Sequence, residues 1–148
     1  MTNFVNGEKL LEWAEVKNQD VNRYYDKKLW NGVVRTAQEV IELSLKALLK
    51  MMGIDYPKEH DVGKIFEDVV KQKGLEIDKT LLNEIRSISA WLTNERAPAF
   101  YYEKEYTEEK AKKAKAYANK VLNFARGFKK VLALRKGKAK KMRKRLGE

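Results

Sequence analysis

The densest concentration of charged chemistry in this 148-residue sequence is at its end. Arg135, Lys136, Lys138, Lys140, Lys141, Arg143, Lys144 and Arg145 all fall between residues 135 and 145. From Lys129 to Glu148 there are ten basic residues against one acidic residue, while residues 1–128 hold 22 basic and 20 acidic ones. The formal net charge of +11 therefore belongs almost entirely to the tail. Such a cluster attracts phosphate backbones without regard to sequence and releases counterions as it binds. The plainer reading is a solvated end that aids solubility. An anionic membrane surface would attract the same charges, but Met142 and Leu146 offer too little apolar face for insertion, so no membrane partner is expected.

Three other groups could take part in chemistry. Glu42 and Lys46 are four residues apart in the favourable order for a helical ion pair, worth ~0.3–0.5 kcal/mol at a surface, or they can flank an RNA- or nucleotide-binding site at Arg96. His60 is the sole histidine and stands beside Asp61, where a bond to backbone or to a neighbouring carboxylate is the simplest role. Phe100, Tyr101, Tyr102 and Tyr106 form an aromatic cluster between two helical segments. Aromatic rings there can stack on bases, or they can pin the connection to the body of the protein. With no cysteine and one histidine, thiolate chemistry is excluded and no metal-ligand cluster is evident. No glycine-rich phosphate loop or nucleophile elbow is present, and nothing calls for a cofactor.

The elements that must position these residues are helices. The chain is 43% apolar and carries only two prolines, enough for one domain with a real core. The opening MTNFVNGEKLLEWAE lacks a basic start followed by an apolar run, so no signal peptide is expected. With no cysteine and no membrane span, a cytoplasmic location is expected. A charged fraction of 36%, rich in Lys and Glu, resembles that of heat-adapted proteins.

Periodicity predicts five helices and an all-α, mostly antiparallel up-and-down bundle over residues 1–134, with 135–148 a basic tail able to continue the last helix. The first helix is expected over Gly7–Lys28, facing inward with Leu10, Ala14, Val21, Tyr24 and Tyr25 and a stripe widened by Trp13. The second, Leu29–Met52, is apolar at so many positions that only a sector with Arg35, Gln38, Glu39, Glu42, Lys46 and Lys50 is polar. That surplus predicts contacts on several sides, either centrally in the bundle or across a dimer interface. Gly53 and Gly74 are expected to end the second and third helices. Asp61, Asp78 and Thr107 are expected to cap the third, fourth and fifth. The last buries Ala111, Ala114, Ala118, Val121, Leu122, Ala125, Phe128 and Leu132.

The stretch EVIELSLKALLKMMGIDYPKEHDVGKIF, residues 39–66, resembles the central part of HEPN domains. There a helix bearing a Glu and a Lys before Ala-Leu-Leu leads through a loop to a His-Asp pair and a short helix. Glu42, Lys46, Ala47, Leu48, Leu49, His60 and Asp61 occupy those positions. Leu11-Glu12-Trp13-Ala14 and Tyr106-Thr107-Glu108-Glu109-Lys110-Ala111 resemble the first helix and the entry to the last. The resemblance implies a compact helical bundle, often a homodimer, that binds RNA or a nucleotide. Some members cleave RNA without metal, as toxins in toxin–antitoxin pairs, and many accompany a small nucleotidyltransferase.

Active members are implied to use an Arg followed four to six residues later by a His. The matching arginine is Arg96, but Tyr101 and Tyr102 stand where the histidine should be. Arg96 can hold a phosphate through its planar fork of donors, or pair with a carboxylate near the helix end. An ordinary tyrosine, with a pKa near ~10, is a poor base at neutral pH. The resemblance thus implies an RNA- or nucleotide-binding module without nuclease activity. The alternatives are an endoribonuclease with a non-standard proton donor, for which His60 would have to approach Arg96, and a non-catalytic partner of a nucleotidyltransferase.

Overall fold

The computed structural model describes residues 3–56 and 58–147; Pro57, expected in the connection after the second helix, lies outside them. Five helices follow in order: α1 (Asn3–Asp26), α2 (Trp30–Met51), α3 (Gly63–Gln72), α4 (Lys79–Phe100) and α5 (Glu108–Arg145). No strand occurs among the described residues. The all-α bundle read from periodicity is the observed fold.

Helix α2 is the axis of the bundle. It packs against α1, α5, α4 and α3, and none of its residues is fully exposed. Val33, Val34, Ala37, Val40, Leu45, Ala47, Leu48 and Leu49 are completely buried. Its apolar surplus is therefore covered within the chain and gives no support to a dimer. The residues of α2 that reach solvent are Trp30, Gly32, Leu43 and a charged row, Arg35, Glu39, Glu42, Lys46 and Lys50. Steps of three and four keep that row on one face of the helix.

The punctuation was largely legible. Gly53 (φ 75°) and Gly74 (φ 61°) close α2 and α3, each with the paired backbone bonds of a left-handed cap. Asp78 accepts from the Thr80 N–H and Thr107 from the Lys110 N–H, as capping residues should.

Four details differ from expectation. Helix α1 ends at Asp26 rather than Lys28, because Lys28 itself takes the left-handed conformation (φ 60°) while Leu29 N–H bonds back to the Tyr24 carbonyl. No glycine marks this cap. Trp13 does not widen the buried stripe: it is 67% exposed, while Leu11 and Gly7 face the core. Asp61 does not cap α3 at the N-cap position, which is Val62. It instead accepts from Gly63 N–H and from the Ser89 hydroxyl (2.7 Å), tying the start of α3 to α4. Phe100 belongs to the last turn of α4, which runs on through Pro98.

Helix α5 buries every residue expected of it as far as Leu132, then continues as exposed helix through the basic segment to Arg145. The root of this extension is fastened. Arg135 donates to the Lys73 carbonyl (3.2 Å), and the Lys136 ammonium lies 4.9 Å from the Phe4 ring centroid. No helix among the described residues is long and apolar enough to cross a membrane.

The close approach of α1 to α2 depends on Gly7. A Cβ there would sit 2.7 Å from the Ala47 carbonyl oxygen and 3.0 Å from the Met51 nitrogen, both backbone atoms of α2. Gly7→Ala should gain up to ~1 kcal/mol in helix propensity but lose ~1–3 kcal/mol to overpacking against atoms that cannot turn aside. A lowered melting temperature is expected in thermal unfolding, and a raised one would show that α1 shifts freely on α2.

Candidate functional site

The C-terminal turns of α4 carry Thr93, Arg96, Ala97 and Phe100, and Tyr101 follows as the C-cap. These residues, with Arg35 of α2 and His60 from the α2–α3 connection, line a cleft of about 290 Å³. Arg96 and His60 are 36 positions apart in sequence, and the fold brings them to one cleft.

The arrangement is held from behind. Glu42 accepts from Lys46 (2.8 Å) and from Gln38 (3.0 Å), and its Oε1 meets His60 Nδ1 at 2.9 Å. The Glu42 and Lys46 side chains are only 15% and 13% exposed, so this is a partly buried network and not the surface pair expected from spacing. Burial opposes ionisation of Glu42. The hydrogen bonds from Lys46, Gln38 and His60, with the Lys46 charge, outweigh it and hold the carboxyl below its ordinary pKa. An ionised Glu42 fixes the imidazole with Nδ1 as donor and leaves Nε2 for whatever enters. The His60 side chain is 54% exposed, so the imidazole is open to solvent.

On the other wall, Arg35 donates to Glu39 (3.0 Å), and its guanidinium lies 4.6 Å from the Phe100 ring centroid. Phe100 in turn meets Tyr101 edge-on at 4.9 Å. Two buried polar atoms of the lining, Arg96 Nε and Thr93 Oγ1, have no hydrogen-bond partner among the described residues. Burial of an unpaired donor costs ~1–3 kcal/mol, and a guanidinium nitrogen is a strong donor to a phosphate oxygen.

The connection after the cleft is fixed by Asn31. Its Nδ2 donates to the Ala99 (3.1 Å) and Lys104 (2.8 Å) carbonyls, and its Oδ1 accepts from Tyr106 N–H (3.1 Å). The Tyr106 hydroxyl donates to Glu95, which Lys104 also reaches at 3.2 Å. Burial and the adjacent Glu95 charge push the Tyr106 phenol well above its ordinary pKa, so it serves as a fixed donor and not as a base.

Of the residues singled out by sequence, Arg96, His60 and Tyr101 line the cleft, and Glu42 reaches it through His60. Tyr102, in left-handed conformation (φ 52°), is exposed but not part of the lining. Tyr106 is buried and pins the connection. Lys46 is not part of the lining; its ammonium lies 5.2 Å from the Tyr56 ring centroid. Arg135, Lys136, Lys138, Lys140, Lys141, Arg143, Lys144 and Arg145 lie away from it; Arg135, Lys136 and Arg143 adjoin Met51 and Met52 at the far end of α2. No group of three or more His, Asp or Glu that could hold a metal ion occurs among the described residues. Sequence reasoning missed Arg35, Thr93 and Asn31. Arg35 could have been found, because it shares a helix face with Glu42 seven residues later.

A family model for the HEPN domain matches residues 8–128. The chain belongs to the HEPN family. The fold is also that of a crystal structure of an archaeal HEPN homologue, 21% identical, at a TM-score of 0.64, with 83% of this chain and 97% of that one covered. No match was found among curated proteins. The HEPN match contains every residue of the cleft and stops before the basic segment.

The Glu42 network has a pH signature. A carboxyl whose folded pKa is depressed contributes stability that is fully present above the unfolded value, ~4.3, and is lost as pH falls through the folded value. In urea unfolding, the gap between wild type and Glu42→Gln should be widest near about pH 7 and should narrow by about pH 3. An unchanged gap would mean that the carboxylate charge is not what the network stabilises.

Proposed function

We propose that this HEPN domain binds RNA or a nucleotide, with a phosphate group seated in the cleft between Arg35, His60 and Arg96. The observation that carries this reading is the convergence of Arg35, His60 and Arg96 on one cleft, with no hydrogen-bond partner for the buried Arg96 Nε among the described residues. Arg35, though paired with Glu39, adds a second cation, and Phe100 and Tyr101 supply aromatic surface at the rim. The basic extension of α5 adds affinity that does not depend on sequence. Its residues from Lys138 to Arg145 are exposed and make no salt bridge among the described residues.

The test is binding of labelled single-stranded RNA by fluorescence anisotropy over a range of salt. Arg96→Ala should weaken binding by about 10- to 150-fold, the equivalent of a charge-assisted hydrogen bond of ~1.5–3 kcal/mol. Replacing Lys138, Lys140, Lys141, Arg143, Lys144 and Arg145 by Gln should flatten the salt dependence by ~0.7 for each phosphate that the tail no longer neutralises. Binding that Arg96→Ala leaves unchanged would remove the cleft from the account.

One observation favours a second reading, as a metal-independent ribonuclease. His60 lines the Arg96 cleft, and it is Nδ1, not Nε2, that meets Glu42. Neutral Nε2 can accept the 2′-hydroxyl proton as that oxygen attacks phosphorus, while Arg96 offsets the charge gathering on the phosphoryl oxygens. The leaving 5′-oxygen then takes a proton from the imidazolium or from solvent. End-labelled RNA on a denaturing gel, with chelator present, separates the two readings. Cleavage that disappears in both His60→Gln and Arg96→Ala establishes the nuclease. RNA left intact by a wild-type protein that binds it leaves the binding module alone.

A further inference from the structure

The charged row on α2 does not stop at the Arg96 cleft. From Arg35 to Lys50 it runs fifteen residues, or ~22 Å at 1.5 Å per residue. At its far end lies a second cleft of about 430 Å³, lined by Asn6, Lys9, Leu10, Trp13, Lys50 and Tyr56. Trp13 is 67% exposed, an unusual place for an indole in a bundle whose core is otherwise closed. Exposed Val16 lies one turn further along α1. Tyr56 lines the same cleft as Trp13, with the Lys46 ammonium 5.2 Å from its ring centroid.

Aromatic faces set among ammonium groups take a planar, π-rich group attached to an anion, because stacking holds the plane and the cations hold the charge. Between the two clefts, neither carboxylate of the row stands as a bare anion. Glu39 is bridged by Arg35 (3.0 Å) and Lys17 (3.1 Å), and Glu42 by Lys46 and His60. Beyond the second cleft, at the same end of the bundle, stands the root of the basic extension, where Lys136 covers Phe4 and Arg143 adjoins Met51 and Met52. A polyanion leaving the Arg96 cleft along this face therefore meets carboxylates already paired with cations, then an aromatic subsite, then a polycation.

The geometry points to Trp13 and Tyr56 forming a base-stacking subsite for single-stranded RNA, joined to the Arg96 cleft by the α2 row. This rests on the phosphate-binding reading of that cleft and extends it by specifying a strand and not a mononucleotide. A stacked strand advancing ~3.4 Å per nucleotide needs about six or seven nucleotides to span the row. A decamer therefore reaches both clefts and a dinucleotide reaches only one.

The test uses the full chain, with labelled decamer and dinucleotide RNA read by anisotropy, and unlabelled decamer read by tryptophan fluorescence. Wild type should bind the decamer more tightly than the dinucleotide. Decamer should quench the fluorescence, and the quench should disappear in Trp13→Phe while Trp30 and Trp91 remain. Trp13→Ala should weaken decamer binding roughly 5- to 150-fold, the span of a single base–aromatic stack, and Trp13→Phe should restore most of it. Because the side chain is exposed, neither variant should lose its helical circular dichroism.

If Arg96→Ala weakens decamer binding but both Trp13 variants bind and quench like wild type, the subsite is overturned and the cleft reading stands. If wild type binds neither RNA, both fall together. If Trp13→Ala changes the oligomeric state in sizing and not the RNA affinity, the face is a contact between proteins and the subsite is likewise overturned.

Discussion

Almost every feature of this protein follows from the burial of α2. A helix covered by four neighbours has only one strip left through which polar side chains can reach solvent, and here that strip is the row from Arg35 to Lys50. Desolvating a charge without a partner is costly, so each member near the middle of the row is paired. Glu39 lies between Arg35 and Lys17, and Glu42 between Lys46 and His60. Any polar site in the bundle is therefore drawn to this strip, because no other face of the central helix is open.

The cleft is assembled where the strip meets the end of α4. Three chain segments converge there, and each is held by a polar anchor of its own. Asp61 ties the start of α3 to Ser89, which keeps the segment bearing His60 against α4. Asn31 binds the backbone at Ala99, Lys104 and Tyr106, which fixes the turn that follows Phe100. Glu42 fixes the imidazole itself. A side chain with that many fixed neighbours loses little freedom when it meets a ligand, which is the condition for a preorganised site.

Charge is distributed in two ways along the molecule. In the body, cations and anions nearly balance, and Arg35, Glu39, Glu42 and Lys46 beside the cleft are paired. From Lys138 to Arg145 the cations make no salt bridge among the described residues, and the helix simply carries them into solvent. The two arrangements suit different tasks: paired groups in a cleft define geometry, whereas an unpaired polycation adds long-range attraction that salt screens.

The sequence alone determined the helical class, the inward face of α5, and the helix ends at Gly53, Gly74, Asp78 and Thr107, because periodicity and capping are local properties of the chain. Likeness to the family also made Arg96 and the missing histidine legible. Only the tertiary structure decided that His60 shares a cleft with Arg96, that Glu42 is a partly buried anchor and not a surface partner, and that Trp13 faces outward. It also showed that Asp61 acts between helices and that Asn31 governs a connection some seventy residues away. These are long-range facts. They depend on which helix faces pack against each other and at what height along the axis, and an i, i+4 pattern sets the face of one helix but not its register against the next.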